Sequence, residues 1–219
     1  MKGRMKRQLR ALLLAMLCIV LVIPAMNASA ATQRQKAIAA YKKYLSQSKV
    51  YVMPKGKKYY DYSYEERTYN GTSSSKAKFS FVNIDNDGVP ELVVSAMVSG
   101  IPTYTVLTYK NGKINRAYYE FEAGFIGYYP KTGIFLEIGY TDGTPYNENY
   151  YKLKGVKAPE VMSKFVYGSK PTEAYYSVGG RDVSIRTFAA KRKSLTGGKS
   201  LLKPKVYSNT AANRKLRLK

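Results

Sequence analysis

Histidine and tryptophan are missing from the 219 residues, and cysteine occurs once, at Cys18. Without histidine there is no imidazole base for a Ser-His-Asp or Cys-His arrangement, and no Cys/His zinc site. A lone cysteine forms no disulfide within the chain. Acids are scarce too: 14 Asp+Glu stand against 37 Lys+Arg, a formal net charge of +23. Long apolar runs are also lacking. The longest, Ala11–Ile23, holds thirteen residues, short of the roughly 18 that a membrane-spanning helix needs.

That run is preceded by MKGRMKRQLR and followed by Pro24 and Ala28-Ser29-Ala30. A basic start, a short apolar core and small residues at a cleavage position predict a secretory signal peptide over residues 1–30. Cys18 lies inside the apolar core behind Ala15-Met16-Leu17 and lacks the small residue expected before a lipidated cysteine. The expectation is an exported chain of residues 31–219 with no cysteine and no transmembrane segment after cleavage, secreted or associated with the cell wall. A disulfide-free exported chain with this leader suits a Gram-positive bacterium.

Charge is unevenly spread. Residues 31–78 carry 11 basic and 3 acidic side chains, 79–150 carry 4 and 8, and 151–219 carry 17 and 3. The middle third is therefore acidic, and no lysine or arginine stands between Lys78 and Lys110. Acids there are expected to lack local cationic partners.

The hydropathy pattern predicts a mainly β (α+β) fold in one domain, residues 31–219. Ala37, Ile38, Tyr41, Tyr44 and Leu45 recur at helical spacing, predicting an amphipathic helix over about 32–47 with Thr32 as its cap. A polar, tyrosine-rich stretch follows and reads as a long loop or irregular hairpin. From Lys78 to about Gly155 short β-branched and aromatic runs alternate with turn residues, among them Asn111-Gly112 and Lys131-Thr132-Gly133. This is the pattern of an antiparallel meander. EAYYSV and VSIRTF, flanking Gly179-Gly180, predict one further hairpin. The basic segment of about 189–219 ends in SNTAANRKLRLK, read as a short helix from near Asn209 or a frayed tail. Tyrosine pairs such as Tyr118-Tyr119, Tyr128-Tyr129, Tyr150-Tyr151 and Tyr175-Tyr176 place one ring on each face of a strand. One ring of each is expected in the core and the other outside, in water or stacked on a ligand.

The most specific signal is Asn83-Ile84-Asp85-Asn86-Asp87-Gly88-Val89-Pro90-Glu91. Oxygen-bearing side chains fall at positions one, three, five and nine, with glycine at six. A hard cation such as calcium takes six to eight oxygens at about 2.3–2.6 Å, and a curled loop supplies them from alternate positions. Asn83, Asp85, Asp87 and Glu91, with the Val89 carbonyl, are the expected ligands, and Ile84 and Val89 the apolar anchors. An ordinary polar turn, its aspartates bonded to backbone amides, is the alternative. The segment resembles the DxDxDGxxD/E calcium loops of integrin-type β-propellers and related bacterial extracellular repeats. Together with the hairpin Tyr104–Lys113, it is similar to small exported proteins of Gram-positive bacteria. The resemblance covers about residues 77–115 and implies a calcium-holding hairpin. Asn83 replaces the first aspartate and Val94 stands where an EF-hand places its last glutamate, so the loop is not an EF-hand. It occurs once, which does not make a propeller.

These features predict an exported, non-enzymatic binding or structural module, held by calcium, whose basic flanks dock on an anionic wall or surface polymer rather than on nucleic acid. From Arg181 to Lys219 there are twelve basic residues and one acid. The competing expectation is a carboxylate-dependent hydrolase of wall or other polysaccharide, drawing on Glu120, Glu122, Glu137 and Asp142.

Overall fold

The computed structural model describes residues 32–141, 144–166 and 174–219, apart from the side chains at 140, 141 and 144–146. The expected signal segment and Asp142 lie outside the described residues. No helix among the described residues is long and apolar enough to cross a membrane.

The fold is mainly β, with antiparallel sheets of short strands and three helices, as the hydropathy pattern predicts. Helix α1 covers residues 32–45, so Thr32 lies within the helix rather than capping it. Two small ribbons follow: β1 (Lys49–Val50) pairs with β4 (Thr72–Ser73), and β2 (Lys58–Tyr60) with β3 (Glu66–Thr68). The meander then runs through β5 (Lys78–Val82), β6 (Glu91–Val98), β7 (Ile101–Lys110) and β8 (Lys113–Phe121). It continues through β9 (Ala123–Tyr129), β10 (Ile134–Thr141), β11 (Thr144–Lys152), β12 (Glu160–Val166), β13 (Ala174–Val178) and β14 (Arg181–Asp182).

The meander forms two sheets, divided at Glu122. That residue has φ of 71° and donates its amide to the Pro102 carbonyl, so β8 and β9 do not pair. The first sheet has the order β15-β5-β6-β7-β8, with β15 (Tyr207–Ser208) returning from the C-terminal region, and the second runs β14-β13-β12-β11-β10-β9.

Alternation along the strands sorts side chains into three cores. Leu92, Val94 and Leu107 join Ala37, Ile38, Tyr41 and Leu45 of α1. Their neighbours Val93 and Val106 point the other way and meet Phe135 and Tyr151 of the second sheet. Leu136 and Tyr150 then face a third core with Phe188 and Leu195. The architecture is therefore α1, first sheet, second sheet, α2. This corrects the simple expectation for Tyr150-Tyr151, because both rings are buried, one on each face of a sheet covered on both sides.

Helix α2 (Ile185–Thr196) is the main departure from the sequence reading. VSIRTF alternates like a strand, yet Ser184 accepts from the Thr187 amide as an N-cap and Phe188 enters the third core. The hairpin partner of β13 is only Arg181–Asp182. Strand β12 was not predicted, because Ser163 and Lys164 interrupt its apolar character. Helix α3 (Ala211–Arg217), capped by Thr210, matches the predicted C-terminal helix.

Candidate metal centre

Val82 pairs with Glu91 as the last rung between β5 and β6, so residues 83–90 close that hairpin. Two apolar side chains fix the loop. Ile84 is buried in the core between the sheets, and Val89 in the core beneath α1. With these inward, the polar side chains between them gather on the other side. One carboxylate oxygen from each of Asp85, Asp87 and Glu91 lies within 4.8 Å of the others. Oxygens that share one calcium ion at about 2.3–2.6 Å are separated by no more than ~5 Å. The three residues could hold one metal ion.

Other contacts shape the loop. Asp85 Oδ1 accepts from the Asp87 amide at 3.1 Å, and Asp87 Oδ1 from the Val89 amide at 2.8 Å. These are the bonds the polar-turn alternative predicts, and they orient the two carboxylates. Glu91 reaches back across the hairpin mouth, its Oε2 accepting from the Ile84 amide at 2.8 Å. Asn83 Oδ1 is buried with no hydrogen-bond partner, and a buried carbonyl oxygen left unpaired costs about 1–3 kcal/mol.

The electrostatics follow from burial. Glu91 is 2% exposed, and desolvation, reinforced by the negative charges of Asp85 and Asp87, pushes its carboxyl up to about 8. Asp85 is raised as well, by burial first and then by Asp87. On the α1 side, the Tyr41 phenol is pushed up by burial and by the same three carboxylates. Each of these groups resists adding negative charge here, and a cation would relieve all of them.

The protein supplies one cation of its own. Lys110, at the end of β7, donates from Nζ to Asp87 Oδ2. Burial alone would lower its pKa, but Asp87, Asp85 and Glu91 together outweigh this and raise it. The expectation that these acids lack a cationic partner is thus correct along the chain and wrong in space. The antiparallel pairing of β6 with β7, Leu92 opposite Leu107, returns the next lysine after Lys78 to the loop. The loop also joins the sheets: the amides of Lys131 and Gly133, in the β9–β10 turn, donate to the carbonyls of Asn83 and Ile84 at 3.3 and 2.8 Å.

The other candidate acids separate. Glu122 is exposed at the division between the sheets. Glu120 and Glu137 come together around Tyr118, whose Oη lies 2.8 Å from Glu120 Oε2 and 2.9 Å from Glu137 Oε2. Glu137 is 3% exposed and also accepts from the Tyr104 hydroxyl at 2.6 Å and from Asn149 at 3.1 Å. Burial raises its pKa despite these donors. A carboxylate enclosed by two phenols and an amide is placed to organise the core between the sheets.

Compared with protein-family models, with curated proteins and with solved structures, the chain gives no match.

Proposed function

We propose that this is an exported, non-enzymatic β-rich module in which the Asn83–Glu91 loop binds calcium, and whose basic C-terminal elements dock on anionic wall or surface polymers. The observation that carries the calcium reading is the convergence of Asp85, Asp87 and Glu91 within 4.8 Å; Asn83 Oδ1, from the start of the same loop, is buried and unpartnered. All four are hard oxygen donors, which suits calcium rather than a thiophilic metal. The role is structural. The loop ties β5 and β6 to the β9–β10 turn, so an ion there fastens the two sheets of a chain that has no disulfide.

Thermal melting with calcium and with chelator tests this. A ligand at a hundred times its Kd stabilises by about 2.7 kcal/mol, a rise of roughly 5–10 °C in Tm for a chain of this size. The rise is expected in the wild type and absent in D85N/D87N. An unchanged wild-type Tm over millimolar calcium would end the calcium reading. For docking, the measurement is retention on purified wall polymer as salt increases, since contacts to a phosphate backbone weaken steeply with salt. Retention that ignores salt would overturn it.

The competing hydrolase reading has one observation in its favour, the approach of Glu120 and Glu137 to a common phenol. Turnover of isolated wall polysaccharide that is lost in E120Q would establish it over the binding module.

A further inference from the structure

The surface beside α2 holds a cavity of about 480 Å³, within the range of about 300–1,000 Å³ that small-ligand sites occupy. Its lining includes three cations, Arg192, Lys193 and Lys199, and no acid. From the structure we infer that this cavity is a binding site for the phosphodiester group of a polyol-phosphate polymer. The inference rests on the polyanion-docking reading above and gives it a location.

Several features make this a built cavity rather than a scatter of surface lysines. Ala189, Arg192, Lys193 and Thr196 recur at three- and four-residue spacing, so they form one stripe of α2, distinct from the Phe188 and Leu195 stripe that enters the third core. The small Ala189 leaves the hollow that the long cations surround. The opposite wall is the segment after the helix, and it is fixed to β9. Leu202 and Tyr128 exchange backbone bonds of 3.0 and 2.9 Å, and Lys199 Nζ donates to the Pro130 carbonyl at 2.8 Å. This close approach requires glycine at 127, where a Cβ would lie 2.6 Å from the Leu202 carbonyl oxygen.

The charge balance favours an oxyanion. Like charges gathered without a counterion repel one another. The nearby Glu148 acts on Arg192 but is shared with Lys164 Nζ at 3.2 Å, and a single carboxylate does not balance three cations. The C-terminus of α2 contributes roughly −0.5 of a charge, too little to neutralise three cations. Arg192 is steadied by the Tyr150 hydroxyl, and its planar guanidinium can present two N–H groups to one phosphate. Tyr129 and Leu201 supply apolar walls against which the polyol carbons flanking a phosphodiester can rest.

The test compares R192Q/K193Q/K199Q with K36Q/K42Q/K43Q, a control that removes the same charge from exposed positions on α1. Binding of a glycerol-phosphate polymer is measured at fixed ionic strength. Amide NMR shifts of the wild type are followed with the polymer and with inorganic phosphate. The expected result is a loss of at least ten-fold for the cavity triple, less than two-fold for the control, and polymer-induced shifts centred on Thr196, Gly198 and Lys199. Equal losses in the two triples, or shifts spread over every basic face, overturn the cavity site and leave general charge docking intact. Saturation by inorganic phosphate with no gain from the polymer overturns the polymer as ligand. No binding of polymer by the wild type overturns the docking reading itself.

Discussion

The Lys110 ammonium sits against Asp87 Oδ2, 23 residues away along the chain, and so occupies one side of the acidic loop that calcium would enter. To an ion bound there, the lysine would be a tethered monovalent competitor. It reduces the charge a metal would meet from three carboxylates to a net of two, and it holds Asp87 in place when no metal is bound.

Replacing Lys110 separates these two effects. K110M is expected to lower stability in chelator by ~1 kcal/mol or less, because the pair is about one-third exposed on the lysine side and such pairs contribute little. The same variant should bind calcium more tightly, so the calcium-induced rise in Tm exceeds that of the wild type at equal concentration. A smaller rise would make Lys110 a support of the site rather than a competitor.

The buried carboxyls give the metal-free protein an unusual pH dependence. Asp85, Glu91 and Glu137 all have values raised above their ordinary 3.8, 4.5 and 4.5, chiefly by burial. Each binds its proton more tightly folded than unfolded. That contribution is fully present below about pH 4 and is lost as pH rises through the folded-state values, up to about 8 for Glu91. In chelator, the unfolding free energy should therefore fall between pH 5 and pH 8.5 by an amount on the order of a few kcal/mol, read as lower urea midpoints. Calcium should remove the parts due to Asp85 and Glu91. Midpoints that rise with pH in chelator would show that these groups are well solvated.

The Glu137 network predicts a stability defect without any effect on calcium. E137Q keeps an oxygen for the Tyr104 and Tyr118 hydroxyls but places an amide among donors, leaving its N–H protons without a buried acceptor. The expected loss is about 1–3 kcal/mol, read as a lower urea midpoint with an unchanged calcium-induced rise in Tm. Loss of the calcium response as well would show that the core between the sheets positions the loop directly.

Gly127 is expected to tolerate no side chain. A Cβ there would meet the Leu202 carbonyl oxygen at 2.6 Å and Leu201 Cγ at 3.0 Å, so G127A must push the segment off the edge of β9. Overpacking of this kind costs about 1–3 kcal/mol. Limited proteolysis at Lys199 and Lys203 should accelerate in the variant. Cleavage rates equal to wild type would show that the segment can shift at no cost.

Most of the local elements are legible in the order of the residues alone. Period-two runs with Asn-Gly and Thr-Gly turns specify the meander, and apolar residues at helical spacing specify α1. Asp-x-Asp-Gly with a later glutamate specifies the acidic loop, because each of these patterns records contacts between near neighbours. Helix α2 is not legible as a helix in the sequence, because VSIRTF fits a strand as well as a helix and the residues from about 189 read only as a basic segment. The Ser184 cap and the burial of Phe188 decide between them. Packing sets the division of the meander at Glu122 into two stacked sheets, the reach of Lys110 to Asp87, the meeting of Glu120 and Glu137 at Tyr118, and the gathering of three cations around one hollow beside α2. These are encounters between residues far apart in the chain, and they are fixed by which face of each sheet finds a partner. Leu92-Val93-Val94 mark both faces of β6 as apolar and Tyr150-Tyr151 put one ring on each face of β11, but neither pattern says what covers those faces.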